Sequence, residues 1–598
     1  MKKTTISIFL LLLSIKGFCQ MYVGAATPVY VKNQVLYVGQ NINLSANANI
    51  YLRNLSQLVQ GTTGTSTNSG TGTISVYQEG TSDNFEYNYW CSPVGLNTAS
   101  SVNNNFGITL LNRPLTATNS TPATILGMSS YDGTSNPLAI APYWIYKLTN
   151  ANNYSQWTQV GSASTIAPGE GFTMKGTSGS DSTDPEASGV ANNPGGTGAQ
   201  RYDFRGKPND GNITISVGAS LAATLTGNPY PSALHLNAFL LDPTNTACNG
   251  NAYFWEQDKT TNSHLLSAYR GGYGTYSPGS LASNGLYVPP TFASYKQDGT
   301  VNTTGSVSGT AMERKYVPIG QGFLINGTAN GTVTFKNSHR VYYKEGSGFS
   351  QFGKPAKTTT TQKSESAVAE EVLEIPHIKI NTIINNQFTR QLALAFLPEA
   401  TDGVDRGIDA ANMDSLPNDI AFWLEQSNYV IQGINFDNTK KIPLIAKATE
   451  TTTLKISVPI IVNFDPTQNI YIFDQLDSSY HDIKNGSYEV TLSPGVYTDR
   501  FKITFTSQTL GVGEETKNSF YVLQDNKNQY LKAFNPDLKN LKSFKLYDIL
   551  GRAVLSKDHL ATEQNYNFST SGLSDGVYIA TFVTFENEKI AQKIIISH

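Results

Sequence analysis

Short runs in which apolar and polar residues alternate, each closed by Gly, Asn or an Asp-Gly pair, recur along almost the whole chain. Val29-Tyr-Val31, Ile50-Tyr-Leu52, Leu392-Ala-Leu-Ala-Phe396 and Phe501-Lys-Ile-Thr-Phe505 are examples. A strand turns its side chains to opposite faces at successive residues, so a two-residue period buries one face of a sheet. No run shows convincing helical periodicity. Tyr and Phe, at 32 and 27, far outnumber the five Trp, and aromatic and β-branched residues between Gly and Asn turns favour strands. The expected class is all-β: multidomain β-sandwiches in a chain whose 598 residues exceed one domain.

Charge excludes some functions. The net charge is −3, and only 15% of residues are charged, so nothing draws the chain to nucleic acid or to an anionic membrane.

The segment 20–82 holds very short runs, among them Val35-Leu-Tyr-Val38, Ile42-Asn-Leu44 and Ile74-Ser-Val-Tyr77, punctuated by Asn41, Asn43, Asn47 and Asn49. Runs this short bury a face only by stacking, which predicts a short β-solenoid-like segment. The region 83–350 contains an echo. Ala167-Pro-Gly-Glu-Gly-Phe172 returns as Val317-Pro-Ile-Gly-Gln-Gly-Phe323. Upstream stand Tyr143-Trp-Ile-Tyr146 and Tyr253-Phe-Trp-Glu256, and before those Trp90-Cys-Ser-Pro93 and Thr226-Gly-Asn-Pro229. Three elements in one order predict a duplicated β-rich unit with halves 83–218 and 219–350. Residues 351–372, with four consecutive Thr, read as a linker. Evenly spaced strands over 373–508 predict a further sandwich, and 509–518 is a second linker.

Both ends carry addresses. Met1-Lys2-Lys3, an apolar stretch from Ile6 to Ile15, and Gly17-Phe18-Cys19 before Gln20 form a secretory signal peptide over 1–19. It brings in the Sec machinery. Cys91 and Cys248 remain after cleavage and are expected either to pair or to lie buried separately.

At the other end stand Lys545-Leu-Tyr-Asp-Ile-Leu-Gly-Arg-Ala-Val554, Leu573-Ser-Asp-Gly-Val-Tyr578 and Lys593-Ile-Ile-Ile596. In this order and place they resemble the type A C-terminal sorting domain of the bacterial type IX secretion system, over 519–598. The resemblance implies an Ig-like sandwich read by the outer-membrane translocon. It also implies removal of the tail by a sortase-like peptidase near residues 510–520, with the passenger shed or joined to surface lipopolysaccharide. The protein would then be secreted, extracellular or held on the outer cell surface. Tyr547, Asp548, Gly551, Gly576, Tyr578, Lys593 and Ile594 are the motif residues so implied.

Signals for chemistry are sparse. The seven His are scattered, and there is no His-Glu-x-x-His or Gly-x-Ser-x-Gly. Asp402, Asp405 and Asp409 share one loop and offer hard oxygen ligands of the kind Ca2+ takes, or simply brace turns. No other cofactor is indicated. Trp144, Trp157 and Trp255 could stack on a glycan or pack in a core. Glu170, Glu256 and Asp258 are candidate carboxylates for a glycoside hydrolase, which needs two at a set gap. The leading expectation is a non-enzymatic surface protein acting by adhesion or contact, with glycan binding and then glycan hydrolysis as alternatives.

Overall fold

The computed structural model describes residues 20–352, 373–507 and 520–597, except 62, 63, 99–101, 164, 197, 198 and 347. The signal peptide and nearly all of both linkers lie outside the described residues.

From residue 20 the chain coils in parallel rungs. Met21–Val23 runs beside Ile42–Leu44, Pro28–Lys32 beside Asn49–Arg53, and Val35–Val38 beside Gln57–Gln60. Val23, Ile42, Leu44, Ile50, Leu52 and Leu58 fill the coil. Asn33, Asn47 and Asn54 take φ of 59°, 59° and 49°, left-handed values that Asn tolerates better than most residues. This is a short β-solenoid. Its last strand, Thr73–Glu79, also pairs antiparallel with Arg201–Pro208, so the coil continues into the next region.

The echoed motifs occupy matching places. In the first half Tyr87–Cys91 pairs antiparallel with Gly171–Lys175, setting Cys91 opposite Gly171 and Trp90 opposite Phe172. In the second, Ala222–Gly227 pairs with Gly322–Gly327, setting Gly227 opposite Gly322 and Thr226 opposite Phe323. The halves then exchange contacts: Glu170 bridges to Thr226, and Trp90 to Gln321. Backbones meet so closely there that a Cβ on Gly322 would lie 2.7 Å from the Trp90 nitrogen, and one on Gly171 2.6 Å from the Thr226 carbonyl oxygen. Side chains are excluded at both positions. Cys91 and Cys248 are both buried and unpaired.

Residues 377–504 form one 11-stranded sheet. Its hydrogen-bonded path bends until its ends meet. Val458 N–H donates to the Ile483 carbonyl, and the Tyr488 hydroxyl to Asp474 Oδ2 at 2.7 Å. Ile378, Leu392, Phe422, Leu444, Ile472 and Phe501 fill the interior. The linker over 351–372 separates this sheet from 83–350 in sequence but not in packing, since residues up to 507 form one compact unit. Arg406 donates to the carbonyls of Leu240, Asn245 and Cys248. Asp414 accepts from the Tyr273 N–H and the Tyr295 hydroxyl.

The remaining unit is a sandwich. A three-stranded sheet (Tyr521–Asp525, Tyr530–Phe534, Asn565–Ser569) faces a four-stranded one (Ala553–Asp558, Leu541–Asp548, Gly576–Thr584, Lys589–Ile596). Phe544, Leu546, Phe568, Phe582, Ile594 and Ile596 lie between them. The strand Leu541–Asp548 ends midway through the motif from Lys545 to Val554. Asp548 turns the chain there by accepting from the Leu550 and Arg552 N–H groups.

Candidate binding site

The alternation in Tyr87–Cys91 and Gly171–Lys175 sorts their side chains onto two faces. Trp90, Phe172 and Met174 enter a core with Tyr202 and Phe204. On the other face Tyr87 stands opposite Lys175, and Tyr89 opposite Thr173. That second face supports the densest cluster of rings and ionisable groups in this part of the molecule.

Lys175 is its centre. Its ammonium lies 3.9 Å from the Trp144 ring centroid, 4.8 Å from that of Tyr87 and 5.5 Å from that of Tyr269, an aromatic cage of the kind that holds cations. Nζ stands 3.0 Å from His264 Nδ1, and His264 Nε2 stands 2.9 Å from Asp132 Oδ1. The geometry fits a neutral imidazole with its hydrogen on Nε2, accepting from Lys175 and donating to Asp132. The His264 ring stacks on Trp144 at 5.0 Å. Asn84 Nδ2 donates to the same Asp132 oxygen.

Burial governs the protonation of this cluster. Removal from water pulls the Lys175 ammonium down to about 7, with Glu86, Asp132 and Asp83 partly restoring it. Glu86 is buried, and that burial pushes its carboxyl up to about 7. Only one of its oxygens has a hydrogen-bond partner, the Asp83 N–H.

Between pH 7 and 10.5, Lys175 is neutral when folded but charged when unfolded. The unfolded chain therefore binds more protons, and this group's contribution makes stability rise with pH in that window. Between pH 4.5 and 7 folded Glu86 keeps a proton that the unfolded chain gives up, so its contribution falls as pH rises. Lys175→Met is expected to remove the rise and Glu86→Gln the fall, as measured by melting temperature across both windows.

Beside this cluster opens a cleft of about 500 Å³ whose lining includes Asp83, Asn84, Phe85, Ser178, Ser180 and Asn262. Phe85 and Asn84 belong to both features. The Phe85 ring lies 4.9 Å from His264, so the lysine cluster braces the wall of the cleft. Thr177 of the same lining is buried and its hydroxyl bonds to Gln200 and Ser135. The Asn amides, the Ser178 hydroxyl and the Phe85 ring face are therefore the groups that can hydrogen-bond to and stack on a polar ligand.

The three tryptophans separate. Trp144 is buried against Lys175, and its Nε1–H donates to the Tyr131 carbonyl at 2.7 Å. Trp157 and Trp255 are half-buried and both pack on Tyr89, at 6.0 and 6.2 Å. They do not form one row along a groove.

The candidate carboxylates are engaged separately. Glu170 pairs with Lys147 at 2.9 Å. Glu256 is buried and accepts from the Tyr287 hydroxyl and the Thr310 N–H. Asp258 accepts from Thr260.

The loop whose carboxylates could take Ca2+ or brace turns does not gather them. Asp402 is exposed and pairs with Lys440. Asp405 accepts from Thr401. Asp409 turns inward to the Asp405 and Gly433 N–H groups, and burial pushes its carboxyl up to about 7. No cluster of three metal-ligating groups occurs among the described residues. Asp405 and Asp409 serve as braces for the backbone.

In the C-terminal unit, Tyr578 and Ile594 are buried. The Tyr578 hydroxyl donates to the Ser574 carbonyl at 2.8 Å, much like the tyrosine corner of Ig-like sandwiches. Asp548 and Gly551, with φ of 78°, shape the exposed turn. Gly576 opens the strand that carries Tyr578, Tyr547 is half-buried, and Lys593 is exposed.

Sequence reasoning missed Glu86, Asp132, Lys175 and His264. They come from four distant segments. The one local hint is a lysine ending the otherwise apolar run Gly171-Phe-Thr-Met-Lys175.

Residues 119–505 match a family model described as Domain of unknown function (DUF8693). Residues 527–597 match one described as Secretion system C-terminal sorting domain. No curated protein matches. Among solved structures, the chain is similar to a biofilm-associated protein's BSP domain at a TM-score of 0.14 and 9% identity, over 88% of this chain and 96% of that one. It is similar to the extracellular domain of a one-component system from B. thetaiotaomicron at 0.10 and 10%, over 64% and 61%. At such TM-scores neither likeness bears on fold or activity.

Proposed function

The chain belongs to the family of the domain of unknown function DUF8693, and from that premise we propose that its passenger acts outside the cell by adhesive contact with a saccharide. Export itself follows from the sorting domain at 527–597, which directs the chain through the type IX machinery to the cell surface or the extracellular space. Removal of the tail near residues 510–520, and release or attachment to lipopolysaccharide, belong to the proposal.

One observation carries the reading: the polar cleft with Asn84, Phe85, Ser178 and Asn262 in its lining, its Phe85 wall packed against His264 of the lysine cluster. Asn and Ser side chains match sugar hydroxyls, and a ring face matches the C–H face of a pyranose. Contact without chemistry is supported by the way the groups of shifted proton affinity are held. Lys175, Glu256 and Asp414 are buried and bonded to neighbouring side chains or backbone. The matching pairings around Phe172 and Phe323 support reading 83–350 as two copies of one unit, with the cleft built from loops of both.

A glycan array with the mature secreted chain tests the proposal. Binding to defined saccharides is expected, with Phe85→Ala and Asn262→Ala each weakening it about tenfold. Array-wide silence would end the saccharide reading. Reducing-sugar release from a bound saccharide would replace contact by hydrolysis.

A further inference from the structure

The geometry points to a docking surface on the outward side of the sorting domain, centred on Ile549, Leu550, Ile579 and Ile595, that fits an apolar, acid-rimmed surface of the type IX export machinery. The inference rests on the sorting-domain assignment and adds to it which residues are read and which only fold.

The four-stranded sheet divides its side chains by the two-residue period. Leu546, Tyr578, Ala580, Ile594 and Ile596 point into the core. Tyr547, Ile579 and Lys593 line up across three strands on the other side, and Val577 stands opposite Ile595 in an adjacent row. Ile579 is 45% and Ile595 59% exposed. At the end of the sheet nearest Val577 and Ile595, the turn after Asp548 displays Ile549 and Leu550, exposed at 76% and 74%.

The turn is braced for that display. One Asp548 oxygen accepts from two backbone N–H groups, and the other accepts from the Arg552 guanidinium at 2.8 Å. Gly551 supplies the left-handed residue. The Asp548 carboxylate and backbone hydrogen bonds hold the turn's shape, while its two largest apolar side chains face water. A contiguous apolar patch of this kind marks an interaction site. Lys545, Lys589 and Lys593 stand on the same side. Their charge disfavours pairing with a second copy and favours an acidic rim on the partner.

The full chain in a type IX-competent host provides the test, with three variants: Ile579→Ser/Ile595→Ser, Lys593→Glu, and deletion of 520–598. The first two alter exposed side chains, so the melting temperature of the purified protein should match that of the unaltered chain. Extracellular protein is expected to fall about tenfold for both, with accumulation in the periplasm. Ile579→Val/Ile595→Val should restore export. Unaltered export of the two point variants with the deletion trapped would overturn the docking surface alone. Export of the deletion as well would overturn the sorting reading with it.

Discussion

Arg340→Ala is expected to lower the unfolding free energy by about 3–5 kcal/mol, because it strands a buried carboxylate. Arg340 and Asp210 both have fully buried side chains, paired at 3.0 Å. The guanidinium also donates to the Leu58 carbonyl, Ser232 Oγ and Asn337 Oδ1, and lies 4.8 Å over the Tyr230 ring. Leu58 belongs to the solenoid and Tyr230 to the second half of the 83–350 region, so one side chain ties two distant segments together. Without it Asp210 keeps the Asn337 amide, while its second oxygen already has no partner. Arg340→Met combined with Asp210→Asn should recover much of the loss, since it removes the stranded charge. Urea unfolding of the single and double variants measures both. A single-variant loss under about 1 kcal/mol would show that water reaches the site.

Trp90→Ala is expected to cost about 3–5 kcal/mol by opening a large cavity at a crowded junction. Trp90 is 1% exposed and packs against Tyr202, Phe204 and Phe352, at ring distances of 5.6, 5.8 and 4.9 Å. Its strand is also where the first half bridges to Gln321 of the second. Trp90→Phe should cost less. It keeps an aromatic ring in place and removes an indole N–H that has no acceptor. If Ala and Phe proved equally mild, the junction would be looser than its packing indicates.

Much of the fold was legible because β-structure writes itself locally. The alternation of Ile378, Ile380 and Thr382, or of Phe544, Leu546 and Asp548, states which residues face inward before any partner is known. The motif Gly-x-Gly-Phe marked both strands where the backbone of the other half approaches too closely for a Cβ. The end of the strand at Asp548 was not legible, because an Asp side chain can cap a turn in the midst of an apolar run.

The candidate site was much less legible. Nothing in the local surroundings of His264 or Asp132 predicts that they meet over Lys175, because that contact depends on which loops the two halves bring together. The tryptophans stayed open between glycan and core for a related reason: aromatic residues in strands serve cores and surfaces equally, and only the order of the sheets separates Trp144 from Trp157 and Trp255. The Asp402–Asp409 loop had suitable ligands, but nearby backbone N–H groups hold Asp405 and Asp409 and Lys440 pairs with Asp402.

By itself the sequence determined the strands, their inward faces and the export address, since each is set by residue type and spacing over a few neighbouring positions. Tertiary structure alone decided that the 11-stranded sheet closes and packs on the preceding region. It alone decided that Arg340 reaches the solenoid and that a lysine stands in an aromatic cage beside a polar cleft. Those outcomes depend on long-range pairing, in which residues hundreds of positions apart compete for the same buried space and no local pattern records which of them wins.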